Sequence, residues 1–216
     1  MRLGLIGDVH AEDERVKVAL SAFATADIDR VLCTGDVVDG LGDIDRTCAL
    51  LWSHGVLTIR GNHDRWIRED AVRTLPNAHR MTALATASVE FIKSLPATAT
   101  LDVPGGKLLL CHGVGENDMN GIRADDSGYD IAANKDLCDI LLDPKIVYVV
   151  GGHTHNAGIR RMERGAKQPP LVVVNAGTLA RDGESGFAIL DVESKRIDFH
   201  RIDADLTVRH ASRAVF

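Results

Sequence analysis

The chain has 216 residues, 45% of them hydrophobic, and a formal net charge of −6. That is enough for one domain with a sizeable core, spanning residues 1–216, while the acidic balance argues against stable nucleic-acid binding through a broad basic surface. No apolar run approaches the ~20 residues of a membrane span, and the stretch Met1 to Asp8 lacks the length and cleavage region of a secretory signal, so a cytoplasmic protein with no membrane contact is expected.

In chain order, Arg2 to Gly7 reads as a buried strand. A helix follows, with Val16, Ala19, Leu20 and Phe23 at offsets of three, four and seven. Val31 to Thr34 is a second short strand; Asp43 is placed to cap a helix carrying Cys48, Leu51 and Trp52, with Gly55 as its stop; Val56 to Ile59 is a third strand. Short apolar strands alternating with amphipathic helices indicate βαβ units and a mainly parallel sheet. Thr82 to Leu95 reads as a helix ended by Pro96. Ala97 to Val103 and Lys107 to Cys111 form a strand pair around Pro104-Gly105-Gly106. Val114 to Gly128 is a polar loop, Asp130 to Leu142 a helix and Ile146 to Val150 a buried strand. The last third reads as a β meander: Ile159 to Glu163, Leu171 to Val174, Phe187 to Asp191, Ile197 to Ile202. The fold class is α/β, two sheets sharing a core between layers of helices. Cys33, Cys48, Cys111 and Cys138, none at C-x-x-C spacing, read as free thiols in a reducing compartment.

The chemistry-bearing residues gather where strands end: Asp8-Val9-His10, Gly35-Asp36-Val37-Val38-Asp39, Gly61-Asn62-His63-Asp64, His112-Gly113 and Gly152-His153-Thr154-His155. Ligands of parallel α/β sheets bind beyond the carboxyl ends of the strands, so separate loops would bring these groups to one edge. Carboxylates, an amide oxygen and imidazoles suit manganese, iron or zinc. Asp8 and His10, two apart, point to one side of an extended chain and can close on one ion. Alone, each residue has a plain structural explanation, such as Asp8 as a cap or Asn62 as a turn former; together they supply a full ligand set. His54, His79, His200 and His210 lie outside these motifs and read as surface or incidental.

At these residues the chain resembles the calcineurin-like metallophosphoesterase superfamily: D-x-H, G-D-x-x-D, G-N-H-D/E, a later H and G-H-x-H occur in order. The resemblance runs from about Leu3 to Thr178, and Asn175-Ala176-Gly177-Thr178 with Phe187 to Asp191 looks like the end of small bacterial members. It implies an α-β-β-α sandwich with a dinuclear metal site at the strand ends. Asp8, His10 and His155 would hold one divalent ion, Asn62, His112 and His153 the other, and Asp36 would bridge them. Manganese is the first expectation, with iron, zinc or nickel as alternatives. The implied reaction is hydrolysis of a small phosphate mono- or diester, nucleotides among the candidates, by a metal-bridging hydroxide, with His63 as general acid oriented by Asp39. The protein-phosphatase branch carries an arginine where this chain has Gly40, which counts against a phosphoprotein substrate. Arg65 and Arg181 are candidates for contacting phosphate, and the loop Gly115 to Gly128 for lining the pocket. The competing readings are a dinucleoside polyphosphate or phosphoprotein substrate, or a non-enzymatic scaffold like the retromer subunit of this fold; the complete ligand set with His63 favours catalysis.

Overall fold

The structure, a computed structural model, describes residues 1–165 and 168–216. Its first half is a βαβαβ unit: β1 (Arg2–Ile6), α1 (Asp13–Ala24), β2 (Arg30–Cys33), α2 (Ile44–Ser53) and β3 (Leu57–Thr58). The three strands run parallel, with Gly4 opposite Val31 and Cys33 opposite Thr58. Val16, Ala19, Leu20 and Phe23 form the buried stripe of α1. Asp43 caps α2 by accepting from the Arg46 amide at 3.0 Å, and Gly55 leaves the helix at a φ of 60°. A further helix, α3 (Asn62–Arg68), which no apolar periodicity announces, starts inside the third motif.

The helix expected from Thr82 begins later. Met81–Ala83 is a 3-10 turn, Leu84 and Ala85 are extended at ψ 153° and 147°, and α4 is Thr86–Ser94. The hairpin β4 (Thr98–Val103) and β5 (Gly106–Cys111) follows as expected. The helix expected over Asp130 to Leu142 is two, α5 (Gly128–Ala133) and α6 (Lys135–Leu142). Asn134 breaks it: its backbone turns extended at ψ 93°, and its side chain accepts from the Leu137 amide at 3.0 Å, capping the second helix. Then come β6 (Ile146–Gly151), β7 (Gly158–Met162), β8 (Leu171–Asn175), β9 (Gly186–Asp191), β10 (Arg196–Ile202) and β11 (Val208–Val215).

These last strands are not one meander. The sheets run β11-β10-β9-β1-β2-β3 and β4-β5-β6-β8-β7. β8 lies parallel to β6 and pairs antiparallel with β7, whereas β9 joins β1 antiparallel in the other sheet, with Leu3 opposite Leu190. β11 is largely exposed and lacks an apolar alternation, so the sequence carries no strand signal there.

Alternation along the strands sorts side chains into layers. Leu3 and Leu5 of β1 face the second sheet, packing with Leu32, Leu108, Val150, Val174 and Leu190. Ile6 joins the helical side, with Phe23, Leu51, Ile92 and Phe187. On the far face of the second sheet, Leu137 and Ile140 of α6 cover Leu109, Val149 and Val173. The result is the α-β-β-α layering. All four cysteines are free. Burial pushes the Cys33, Cys48 and Cys111 thiols up to about 12, so none is a thiolate nucleophile near neutral pH. Among the described residues no helix is long and apolar enough to cross a membrane.

Candidate metal centre

The loops leaving β1, β2, β3, β5 and β6 meet at the carboxyl edge and are tied together through backbone. His10 and Ala11 donate their amides to the carbonyls of Asp36 and Val37 at 2.7 and 2.8 Å, and Gly152 donates to His112 at 2.7 Å. Asp8 and His10 are not in extended chain as their spacing suggested. They adopt left-handed backbone, φ 44° and 46°, as do Asp36 (48°), His153 (65°) and His155 (59°). Non-glycine residues rarely take this conformation, and it collects where surrounding structure overrules local preference to aim side chains.

What these loops bring together is a set of nitrogen and oxygen atoms within hydrogen-bond distance of one another. The His112 Nε2 is 2.9 Å from Asn62 Oδ1, which is 3.1 Å from His153 Nδ1. The Nε2 atoms of His10 and His155 are 3.3 Å apart. Asp36 Oδ2 stands between the two groups, 3.4 Å from His112 Nε2 and 3.9 Å from His10 Nε2. Asp8 Oδ1 is 3.5 Å from His155 Nε2 and receives the His153 amide at 3.0 Å. Two of the rings are turned by their other nitrogen: Nδ1 of His112 meets the Thr34 carbonyl and Nδ1 of His10 the Asp39 carbonyl, both at 2.8 Å. Such bonds fix a ligating histidine with Nε2 facing the ion. Donors ~3 Å from one another are as far apart as ligands sharing one ion at ~2.1 Å.

Charge tells the same story. Asp8 and Asp36 are buried, at 0% and 2% exposure. Burial, with Asp36 close by, pushes the Asp8 carboxyl upward. At His112 burial works against a proton, but Asp36, with Asp8 and the Thr34 carbonyl, outweighs it and raises the imidazole to about 10. Two buried carboxylates therefore call for positive charge, which a proton on His112 meets only in part and divalent cations meet fully. The donors fit such ions.

Residues 1–195 match the family model of the calcineurin-like phosphoesterase superfamily domain. The chain belongs to this superfamily. Solved structures agree in fold: a metallophosphoesterase from Sphaerobacter thermophilus (22% identity over 95% of this chain and 91% of that one, TM-score 0.68), a protein from Pyrococcus horikoshii (15%, 94% and 89%, TM-score 0.74), and zinc-bound Vps29 from Entamoeba histolytica (17%, 99% and 98%, TM-score 0.58). The comparison with curated proteins finds no match. Phosphoesterases of this superfamily are metal-dependent, in keeping with the donor cluster.

Beside the donors of this phosphoesterase domain, His63 gives its Nδ1–H to Asp39 Oδ2 at 2.8 Å, and its amide bonds Asp36 at 2.9 Å. Burial opposes a charge on His63, but the bond to Asp39 and the negative charges of Asp36, Asp39 and Asp64 together outweigh it and lift the pKa above the ordinary histidine value. Asp39 is also gripped by Arg73 and His79. His79 is thus not incidental: its amide and Nδ1 both bond Asp39, at 2.8 and 2.9 Å. His200 stacks on Phe187 at 4.9 Å, while His54 and His210 are exposed. Arg73 lies outside the motifs, in a segment without periodicity, and only the fold reveals it.

The two arginines expected to face phosphate are both engaged elsewhere. Arg65 forms a two-pronged pair with Asp118 at 2.7 and 2.9 Å, and Arg60 adds a bond at 3.0 Å. These contacts pin the 115–128 loop to α3. Arg181 pairs with Glu12 at 2.6 and 2.8 Å. It does line a cavity of about 280 Å³ with His10, Asp39, His63, Leu75 and His155. The backbone also explains Gly40: a Cβ there would lie 1.8 Å from the His10 carbonyl oxygen, so the protein-phosphatase arginine has no room.

Proposed function

We propose that the chain is a phosphoesterase that hydrolyses mono- or diesters of small substrates, with nucleotides as one candidate group. The observation that carries the reading is the donor cluster opening onto the His63 cavity. Asp8, His10 and His155 would hold one divalent ion, Asn62, His112 and His153 a second, with Asp36 between them; manganese is the first candidate. When bound, such ions supply Lewis-acid charge for the phosphoryl oxygens and water of lowered pKa.

The chain's own residues do the rest. Asp39 accepts the Nδ1 proton of His63, which leaves Nε2 as the atom that carries a proton to the departing ester oxygen. A cavity of about 280 Å³ favours a small ester. The intact His63–Asp39 pair beside a complete donor set supports catalysis over a purely scaffolding role. The test is hydrolysis of p-nitrophenyl phosphate and bis-p-nitrophenyl phosphate by manganese-loaded and chelator-stripped protein. Turnover that vanishes with the metal and returns on reloading is expected, and the better ester separates monoesterase from diesterase. Protein holding two metals per chain and inert on a broad ester panel would overturn the reading.

A second measurement isolates His63. His63→Ala should slow esters with alkoxide leaving groups by about 10²-fold or more, since general acid catalysis contributes ~10²–10⁴. Esters of p-nitrophenol, whose leaving group needs no proton, should slow only a few-fold. Equal slowing of both would remove His63 from the acid role.

A further inference from the structure

Asp39 holds more partners than the orientation of one histidine needs. Its Oδ2 accepts from His63 Nδ1 at 2.8 Å and from Arg73 Nη2 at 2.9 Å. Its Oδ1 accepts from Arg73 Nη1 and from the His79 amide, both at 2.8 Å. The Arg73 side chain is only 4% exposed. Its remaining bonds go to the carbonyls of Ala71 and His79, at 2.7 and 2.9 Å. Burying a guanidinium is costly unless its donors are met, and here they converge on one carboxylate and its flanking loop.

The geometry has two consequences. A carboxylate held only by an imidazole can rotate about its Cβ–Cγ bond, and the imidazole follows. A forked guanidinium bond fixes the carboxylate plane, which a single ammonium cannot do. In addition, Arg73 and His79 fasten both ends of the 73–79 segment to Asp39. Leu75, Pro76 and Asn77, between those anchors, line the cavity that opens on His63.

We propose that Arg73 is a positioning residue of the phosphoesterase site: by fixing the Asp39 carboxylate it holds His63 in line with the leaving group and keeps the 73–79 wall of the cavity in place. The inference rests on the reading of His63 as general acid. It makes Arg73 act through His63, which a purely structural role does not require.

The test is a double-mutant cycle on full-length, manganese-loaded protein. Arg73→Met, His63→Ala and the double variant are assayed on an alkyl phosphate ester and its p-nitrophenyl counterpart, chosen from the class the wild type prefers. Removal of outer supports at metal sites typically costs 10–100-fold. Arg73→Met is accordingly expected to lose about that much on the alkyl ester, much less on the p-nitrophenyl ester, and to add little to His63→Ala. Arg73→Lys, which keeps the charge but not the fork, should fall between wild type and Arg73→Met. Losses that multiply in the double variant, or that fall equally on both esters, overturn the proposal. Should Arg73→Met fail to fold, Arg73→Lys decides in the same way, by unequal or equal loss on the two esters. A wild type inert on both esters, or a His63→Ala variant that slows both alike, strikes the underlying reading instead and takes this inference with it.

Discussion

Asp36→Asn should silence hydrolysis while leaving the chain folded. Asp36 is 2% exposed. Its Oδ2 sits between the His112 and His10 groups, at 3.4 and 3.9 Å, and its Oδ1 takes the His63 amide at 2.9 Å. Asparagine keeps the shape and an oxygen for one of these contacts but removes the negative charge that faces both groups. A single preorganised polar group in an active site is worth ~10²–10³ in rate. On the proposed reading Asp36 is shared by two ions and should exceed that, so a loss of at least about 10³-fold in kcat/KM is expected. Elemental analysis should find fewer than two metals per chain, with an unchanged far-ultraviolet circular dichroism spectrum. A variant that keeps two ions and stays within tenfold of wild-type turnover would show that Asp36 does not bridge.

Asp64→Ala should be the most destabilising change in the motifs, although Asp64 is assigned to neither ion. Its carboxylate is 0% exposed. It accepts from the amides of Val37 and Val38 at 2.9 and 3.1 Å, and from that of Gly61 at 2.9 Å. It thereby binds the loop after β2 to the start of α3. Alanine would strand three buried N–H groups, each costing ~1–3 kcal/mol when unpaired. The expected loss is about 3–5 kcal/mol in urea unfolding, with activity falling as the Asp36 and Asn62 loops part. Asp64→Asn keeps one accepting oxygen and should lose less than Asp64→Ala. Equal stability of Asp64→Ala and wild type would mean that water replaces the carboxylate, and that the loops hold themselves.

Much of this was legible in the residues alone because two strong signals coincided. Short apolar strands set the βαβ order, and polar motifs marked the point at which each strand ends, so the edge that gathers Asp8, Asp36, Asn62, His112 and His153 followed from topology. What escaped depended on contacts that no periodicity records. The 130–142 segment has the composition of one helix, yet the Asn134 side chain offers its successor a cap and the backbone breaks there. β11 has too few buried side chains to show an alternation. Arg73 and His79 reach Asp39 across 34 and 40 positions of chain, and nothing local marks either as a partner. The engagement of Arg65 and Arg181 could not be read either, since a guanidinium near a motif looks alike whether a carboxylate awaits it or not.

The left-handed backbone at Asp8, His10, Asp36, His153 and His155 makes these the places where durability and chemistry pull apart. Asparagine or glycine would rest there with less strain than a histidine does. Drift toward those residues would carry no folding penalty of its own at a position such as His155, where no backbone bond depends on the side chain. A ligand at such a position can be lost while the fold persists, whereas Asp8 and Asp36, which accept the His153 and His63 amides, cannot be shed so freely. At a position such as His155, stability alone gives no reason to keep a histidine.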